Sequence, residues 1–184
     1  MARNGTFIWI DLEMTGLFPE TDHILEIASI ITDGDLNVLD HGPALVIHQP
    51  DSILDTMIDR VRELHEPSGL INEVRTSTIS VEEAERETLN VIQLHCERHK
   101  GILAGNSVWQ DAHFMRKYMP RLMKYLHYRI VDVSSVKELV TRWYPNDPNL
   151  FFEKKATHRA LQDIEESIAE LKHYREHFFK KSGE

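Results

Sequence analysis

The chain has 184 residues, 41% hydrophobic and 28% charged, and 30 acidic against 21 basic side chains leave a formal net charge of −9. This excludes a protein that coats long nucleic acid by neutralising phosphates, but not an enzyme acting on short nucleic acids. The single cysteine, Cys96, excludes an internal disulfide framework, and no apolar run reaches the roughly 20 residues of a membrane span. Cys96 is read as a buried structural thiol within a helix. Residues 1–5 are too short for a signal or transit peptide, so the expectation is a cytoplasmic protein, or a mitochondrial one if a targeting segment has been lost.

Phe7-Ile8-Trp9-Ile10 reads as a strand buried on both faces, and it runs straight into Asp11 and Glu13. Strand side chains alternate, so both carboxylates point the same way. Thr15-Gly16 then breaks the strand. Two like charges at the end of a buried strand are costly unless compensated. The two readings are plain solvation and a divalent cation, and an all-oxygen set favours Mg²⁺ or Mn²⁺.

Residues 18–22 form a turn, and strands near 24–32, 36–40 and 43–48 follow as an antiparallel meander, with Asp33-Gly34-Asp35 as a hairpin signal. Glu26 sits inside the first of these runs and is read as a paired acid. Leu54, Met57, Ile58 and Val61 have helical spacing. His65, just before the break at Pro67-Ser68-Gly69, is locally a surface or capping residue. Leu70, Ile71 and Val74 begin a short helical piece. Ser80 with Glu83 makes a capping box for a long helix to about residue 98.

Residues 102–105 form a short buried strand, then a helix spans 109–118 until Pro120 stops it. Asp111, Phe114, Met115 and Tyr118 share one helix face, so Asp111 lies on the face that must be buried and needs a partner or a metal. A strand at 129–133 leads to a helix capped by Ser134 or Ser135, the latter in a capping box with Glu138. Ser134 and Lys137 stand together near that helix N-terminus, as a plain cap or a phosphate seat. A loop covers 144–155. The last helix, 157–179, has Ala160, Leu161, Ile164, Ile168, Leu171, Tyr174 and Phe178 as its apolar stripe, and a frayed tail follows. His158 and Asp163 would point about 140° apart on an ideal helix, so they converge only if His158 lies in the approach to it.

Asp11, Glu13, Asp111, Asp163 and His158 form a suitable set for phosphodiester hydrolysis, since a neutral His can take a proton from an attacking water. The residues alone reach a possible metal site and no reaction. The sequence resembles the DEDDh family of 3′→5′ exonucleases, and within it the oligoribonucleases. Asp11-Leu12-Glu13-Met14-Thr15-Gly16-Leu17 is similar to the first exonuclease motif. Gly105-Asn106-Ser107 with Asp111 and Phe114 is similar to the second, and His158-x-Ala160-x-x-Asp163 to the third. The likeness extends through His127-Tyr128-Arg129-Ile130-Val131-Asp132-Val133-Ser134 to about Tyr174.

The resemblance implies an α/β ribonuclease H-like fold, a central mixed sheet flanked by helices, in one exonuclease domain over 1–184 with its core at about 6–179. It implies that Asp11, Glu13, Asp111 and Asp163 hold two Mg²⁺ or Mn²⁺ ions and that His158 activates water. It also implies degradation of short single-stranded RNA, dinucleotides preferred, to nucleoside monophosphates. Leu17 would part the bases, with Met14 and His65 as further substrate contacts. Ser107, Ser134 and Lys137 would cap the 5′ phosphate, together with Tyr128 and Arg129 from the partner subunit of a homodimer. One departure is visible: Arg60 stands where many relatives carry a Trp about five residues before the histidine matched by His65.

Overall fold

The computed structural model describes residues 5–154 and 159–180. Strands β1 (Phe7–Met14), β2 (Ile24–Thr32), β3 (Val38–Val46), β4 (Ile102–Gly105) and β5 (Ile130–Asp132) form one sheet in the order β3-β2-β1-β4-β5. The β1–β2 and β2–β3 pairs are antiparallel, and the β1–β4 and β4–β5 pairs are parallel. The expected central mixed sheet is therefore present. The helices are α1 (Asp51–Leu54), α2 (Asp59–His65), α3 (Leu70–Thr76), α4 (Val81–His95), α5 (Trp109–Tyr118), α6 (Pro120–Tyr125), α7 (Val133–Trp143) and α8 (Ala160–Phe178).

The two-residue period of β1 divides the molecule into layers. Ile8, Ile10 and Leu12 enter a core with Ala84, Leu89 and Ile92 of α4, Phe114 and Met115 of α5 and Leu122 of α6. Trp9 points the other way, into a core with Val133 and Val140 of α7 and Ala160, Ile164, Ile168 and Tyr174 of α8. Asp11 and Glu13 share the parity of Trp9, so they emerge at the end of the layer that α8 covers. A third cluster packs Leu54, Leu70, Ile71 and Val74 against Leu25.

Several local expectations change. The runs 36–40 and 43–48 are one strand, β3, which carries Gly42-Pro43 at the sheet edge, where a missing N–H costs least. A Cβ at Gly42 would collide with the buried Ser29 hydroxyl on β2. The helical spacing after Pro50 spans two short helices, with Ile58 as the exposed N-cap of the second. Helix α4 stops at His95, which leaves Cys96 half-buried at its C-cap rather than inside the helix. Pro120 ends α5 but also opens α6 at a position where its absent N–H is harmless. The start of α6 is capped from afar: the buried Glu85 carboxylate of α4 accepts from Arg121 N and Leu122 N at 2.6 and 2.9 Å. Helix α7 begins earlier than Ser134, because Asp132 is its N-cap and accepts from Ser134 N at 2.9 Å. The described part of α8 starts at Ala160. Among the described residues no helix is long and apolar enough to cross a membrane.

Candidate active site

Three carboxylates meet where β1 leaves the sheet. Asp11 and Glu13 come from the strand and Asp163 from the first turn of α8, and one oxygen of each lies within 4.8 Å of the others. Unit charges at that spacing repel by about 3 kcal/mol per pair at an effective dielectric near 20. Three such pairs approach the whole stability of a domain, roughly 5–15 kcal/mol. The cluster therefore cannot stay fully ionised without a compensating charge. Burial, and then the charges of Asp163 and Glu26, push Glu13 up to about 8. Burial, and then the charge of Asp111, hold Asp11 well above the usual carboxylate range. An all-oxygen, anionic, partly buried trio fits a divalent cation. Bound there, such a cation would supply Lewis-acid stabilisation to a phosphodiester.

Asp111 stands beside the trio rather than within it. It is buried on α5 and accepts from Leu12 N at 2.9 Å, the backbone link between Asp11 and Glu13. Burial raises it to about 8, against the lowering pull of that hydrogen bond. His65 is not the surface residue that its local sequence suggests. It is buried, with Nε2 3.0 Å from Met14 O and Nδ1 3.7 Å from Glu13 Oε2. His158, the expected general base, lies outside the described residues.

A second set of contacts fixes α8 over β1. Glu26 faces Glu13 across the β1–β2 pair. Its carboxylate receives Arg159 Nε and Nη2, at 3.2 and 2.9 Å, and also Ala160 N at 3.1 Å. Glu73 of α3 takes the other side of the same guanidinium, with contacts of 3.1 and 2.9 Å. Arg159 thus joins β2, α3 and the α8 N-terminus one turn before Asp163, and its charge eases the ionisation of Glu13. Glu26 is the paired acid that the apolar run predicts. The partner, 133 residues away, carries no local signal.

The loop after β1 leaves Leu17 64% exposed. Its carbonyl accepts from Gln110 Nε2, and Asp22 accepts from Phe18 N at 2.9 Å and from Thr15 Oγ1 at 3.3 Å. A Cβ at Gly16 would strike the Asp22 carboxylate and displace it from these contacts. Ser107 and Ser134 do come together, with their hydroxyls 3.1 Å apart, and Ser107 N is shared between Asp132 Oδ1 and Ser134 Oγ at 3.0 Å each. Lys137 stands one turn along α7, 3.8 Å from Glu170. Tyr128 and Arg129 are elsewhere. Tyr128 is 80% exposed, stacks on His127 and lies 5.3 Å from the Arg129 guanidinium. Neither hydrogen-bonds to the acids or to the serine pair among the described residues.

Residues 8–171 match the family model described as "Exonuclease". A Homo sapiens protein named "Oligoribonuclease, mitochondrial" is 53% identical over 95% of this chain and 73% of its own length. "Oligoribonuclease" proteins of Marinobacter nauticus and Pseudomonas aeruginosa are each 51% identical over 98% of this chain and 99% of theirs. The chain belongs to the oligoribonuclease family. As a member it is a metal-dependent 3′→5′ exoribonuclease of the DEDDh group, as its motifs imply. The ribonuclease H-like fold agrees with E.coli exonuclease I, solved in a complex with single-stranded DNA. That structure aligns with a TM-score of 0.73 over 96% of this chain at 17% identity. This chain spans only 41% of that protein's length, so the likeness speaks for the fold alone.

Sequence reasoning missed Arg159, Lys154 and Glu170 around the oligoribonuclease centre, and it placed Asn106 in the second motif without a role of its own. For Glu170 a signal existed: Asp163, Ser167, Glu170 and Tyr174 are spaced 4, 3 and 4 apart, one helix face.

Proposed function

We propose that this exoribonuclease finishes RNA decay on very short single strands, dinucleotides preferred, releasing nucleoside monophosphates. The observation that carries the reading is the convergence of Asp11, Glu13 and Asp163 at one strand end, with Asp111 behind them. In this reading the four acids hold two ions, Mg²⁺ or Mn²⁺, around the scissile phosphate, and His158 takes the proton of the attacking water. Leu17 parts the last two bases, with Met14 and His65 lining the same end.

The short-substrate preference is supported by the Ser107–Ser134 hydroxyl pair with Lys137 one turn along α7, a small polar group that suits one terminal phosphate rather than a long backbone. A capped slot also reconciles an acidic chain with an RNA substrate, because few phosphates need neutralising. Tyr128 and Arg129 enter the reading from a second copy. They sit at the exposed edge of the sheet beside β5, where Ile130, Leu139 and Trp143 are also exposed, and Arg129 of the partner subunit would close the seat. The whole chain is read as one exonuclease domain. A cytoplasmic location is proposed, with the mitochondrion as the alternative suggested by the human relative's name.

A length series of 5′-labelled RNAs, with and without EDTA, tests this reading. Two-nucleotide RNA should turn over fastest, and chelation should stop all turnover. Equal rates on two and twenty nucleotides would favour a longer-substrate exonuclease. Sedimentation of the purified protein should show a dimer.

A further inference from the structure

A buried carboxylate on α8 lies behind the serine pair. The Glu170 side chain is 1% exposed and is enclosed by partners: Tyr174 Oη donates to Oε1 at 2.8 Å, and Lys154 Nζ is 2.5 Å from Oε2. Asn106 Nδ2 donates to Oε2 at 3.0 Å, and the half-exposed Lys137 ammonium is 3.8 Å from Oε1. Asn106 has only two amide protons. The second goes to Ser167 Oγ at 2.8 Å, and Ser167 Oγ in turn donates to the carbonyl of Asp163 at 2.7 Å.

With both amide protons turned toward α8, the carbonyl of Asn106 must face α7, where it accepts from Ser134 Oγ at 3.2 Å. The single Ser134 proton is then committed, and Ser134 Oγ can only accept from Ser107, at its amide and its hydroxyl. Proton donation therefore runs one way, from Ser107 through Ser134 and Asn106 to Glu170. The Ser107 hydroxyl can still rotate toward an arriving anion, because Ser134 Oγ keeps the Ser107 amide as a donor. Lys137 is held near Glu170 at a separation too long for a tight pair, so its donors remain available to that same anion.

We propose that Glu170 is a positioning residue for recognition of a terminal 5′ phosphate. Its fixed negative charge holds the Lys137 ammonium at this end of α7, and through the Asn106 amide it turns the Ser134 proton inward, so that Ser134 Oγ accepts from Ser107. Lys154 balances the remaining charge. This inference rests on the reading of Ser107, Ser134 and Lys137 as the phosphate seat.

The test is E170Q, an isosteric change that removes the charge beside Lys137. Michaelis parameters are measured on a 5′-phosphorylated dinucleotide and its 5′-hydroxyl counterpart, with Mn²⁺ binding followed by calorimetry. KM for the phosphorylated substrate should rise about tenfold, the loss of one charge-assisted contact. KM for the hydroxyl form, kcat and Mn²⁺ affinity should stay within about twofold of wild type, because no metal-binding contact is touched. E170D, which keeps the charge but draws it back from Lys137, should give a smaller loss of the same kind and decides the matter if E170Q does not fold. Equal losses on both substrates, or none, overturn the proposal. If K137M loses the phosphate preference while E170Q keeps it, the seat stands and Glu170 has no part in it. If the wild-type enzyme shows no phosphate preference, the seat itself is wrong and the proposal falls with it.

Discussion

Helix α8 carries two acidic centres seven residues apart, and they are built on opposite plans. Asp163 joins Asp11 and Glu13 in a group whose nearest charges are mostly like charges. Glu170 is more deeply buried, yet its carboxyl is held below the usual range, because Lys154, Tyr174 and Asn106 outweigh the burial that would raise it. Glu13 is pushed up to about 8, because its burial and its acidic neighbours outweigh the Arg159 charge. Burial alone thus does not decide what a carboxylate does. One centre is complete within the protein and serves to hold other groups. The other is completed from outside, which is what a metal-dependent hydrolase requires.

The largest effects should follow from breaking the incomplete centre. D163N and D111A should each reduce turnover below about 1% of wild type, the scale of losing a ligand to a catalytic metal, while circular dichroism stays native. Full activity, or unfolding, in either variant would defeat the metal-ligand assignment. R159M releases α8 from Glu26 and Glu73 without touching a carboxylate of the trio. Its Mn²⁺ affinity should fall about 10–100-fold, as for other groups that orient metal ligands, and unchanged affinity in calorimetry would reduce the clamp to simple packing. R129A should weaken 5′-phosphorylated dinucleotides about tenfold, one charge-assisted contact, and 5′-hydroxyl dinucleotides less. An equal loss on both would remove Arg129 from the seat.

The smallest effect concerns stability and gives the comparison a sign. Glu13, Asp111 and Asp11 have folded-state pKa values raised above their ordinary ones. The stability they contribute to the metal-free protein is fully present below the ordinary carboxylate range and is lost as pH rises toward about 8. The melting temperature without metal should therefore fall across that window, by about 2–4 °C per kcal/mol lost. Added Mn²⁺ should flatten the slope, and so should E13Q in the absence of metal. Glu170 works in the opposite sense: its lowered pKa contributes stability above the ordinary carboxylate range, lost as pH falls. A metal-free protein that grows more stable from pH 5 to pH 8 would contradict the assignment of the strained centre.

Much of this was legible in the chain because the signals are local. The run from Phe7 to Met14 alternates faces by covalent geometry, so Asp11 and Glu13 had to share a side, and Trp9 shows which side that is. Asp111 had to face inward because Phe114 and Met115 do. What the chain could not display is which distant groups meet those positions. That Asp163 closes on Asp11 depends on Arg159 being gripped by Glu26 and Glu73 from β2 and α3. That His65 is buried beside Glu13 depends on where α2 comes to rest, and that Ser134 is an acceptor depends on Glu170 through Asn106. Sequence alone determined the strand, its acids and the face they share, since backbone periodicity needs only neighbours along the chain. Tertiary structure alone decided which buried charges are neutralised inside the protein and which are left for a metal, since that depends on contacts between residues far apart in the chain, 133 positions for Glu26 and Arg159.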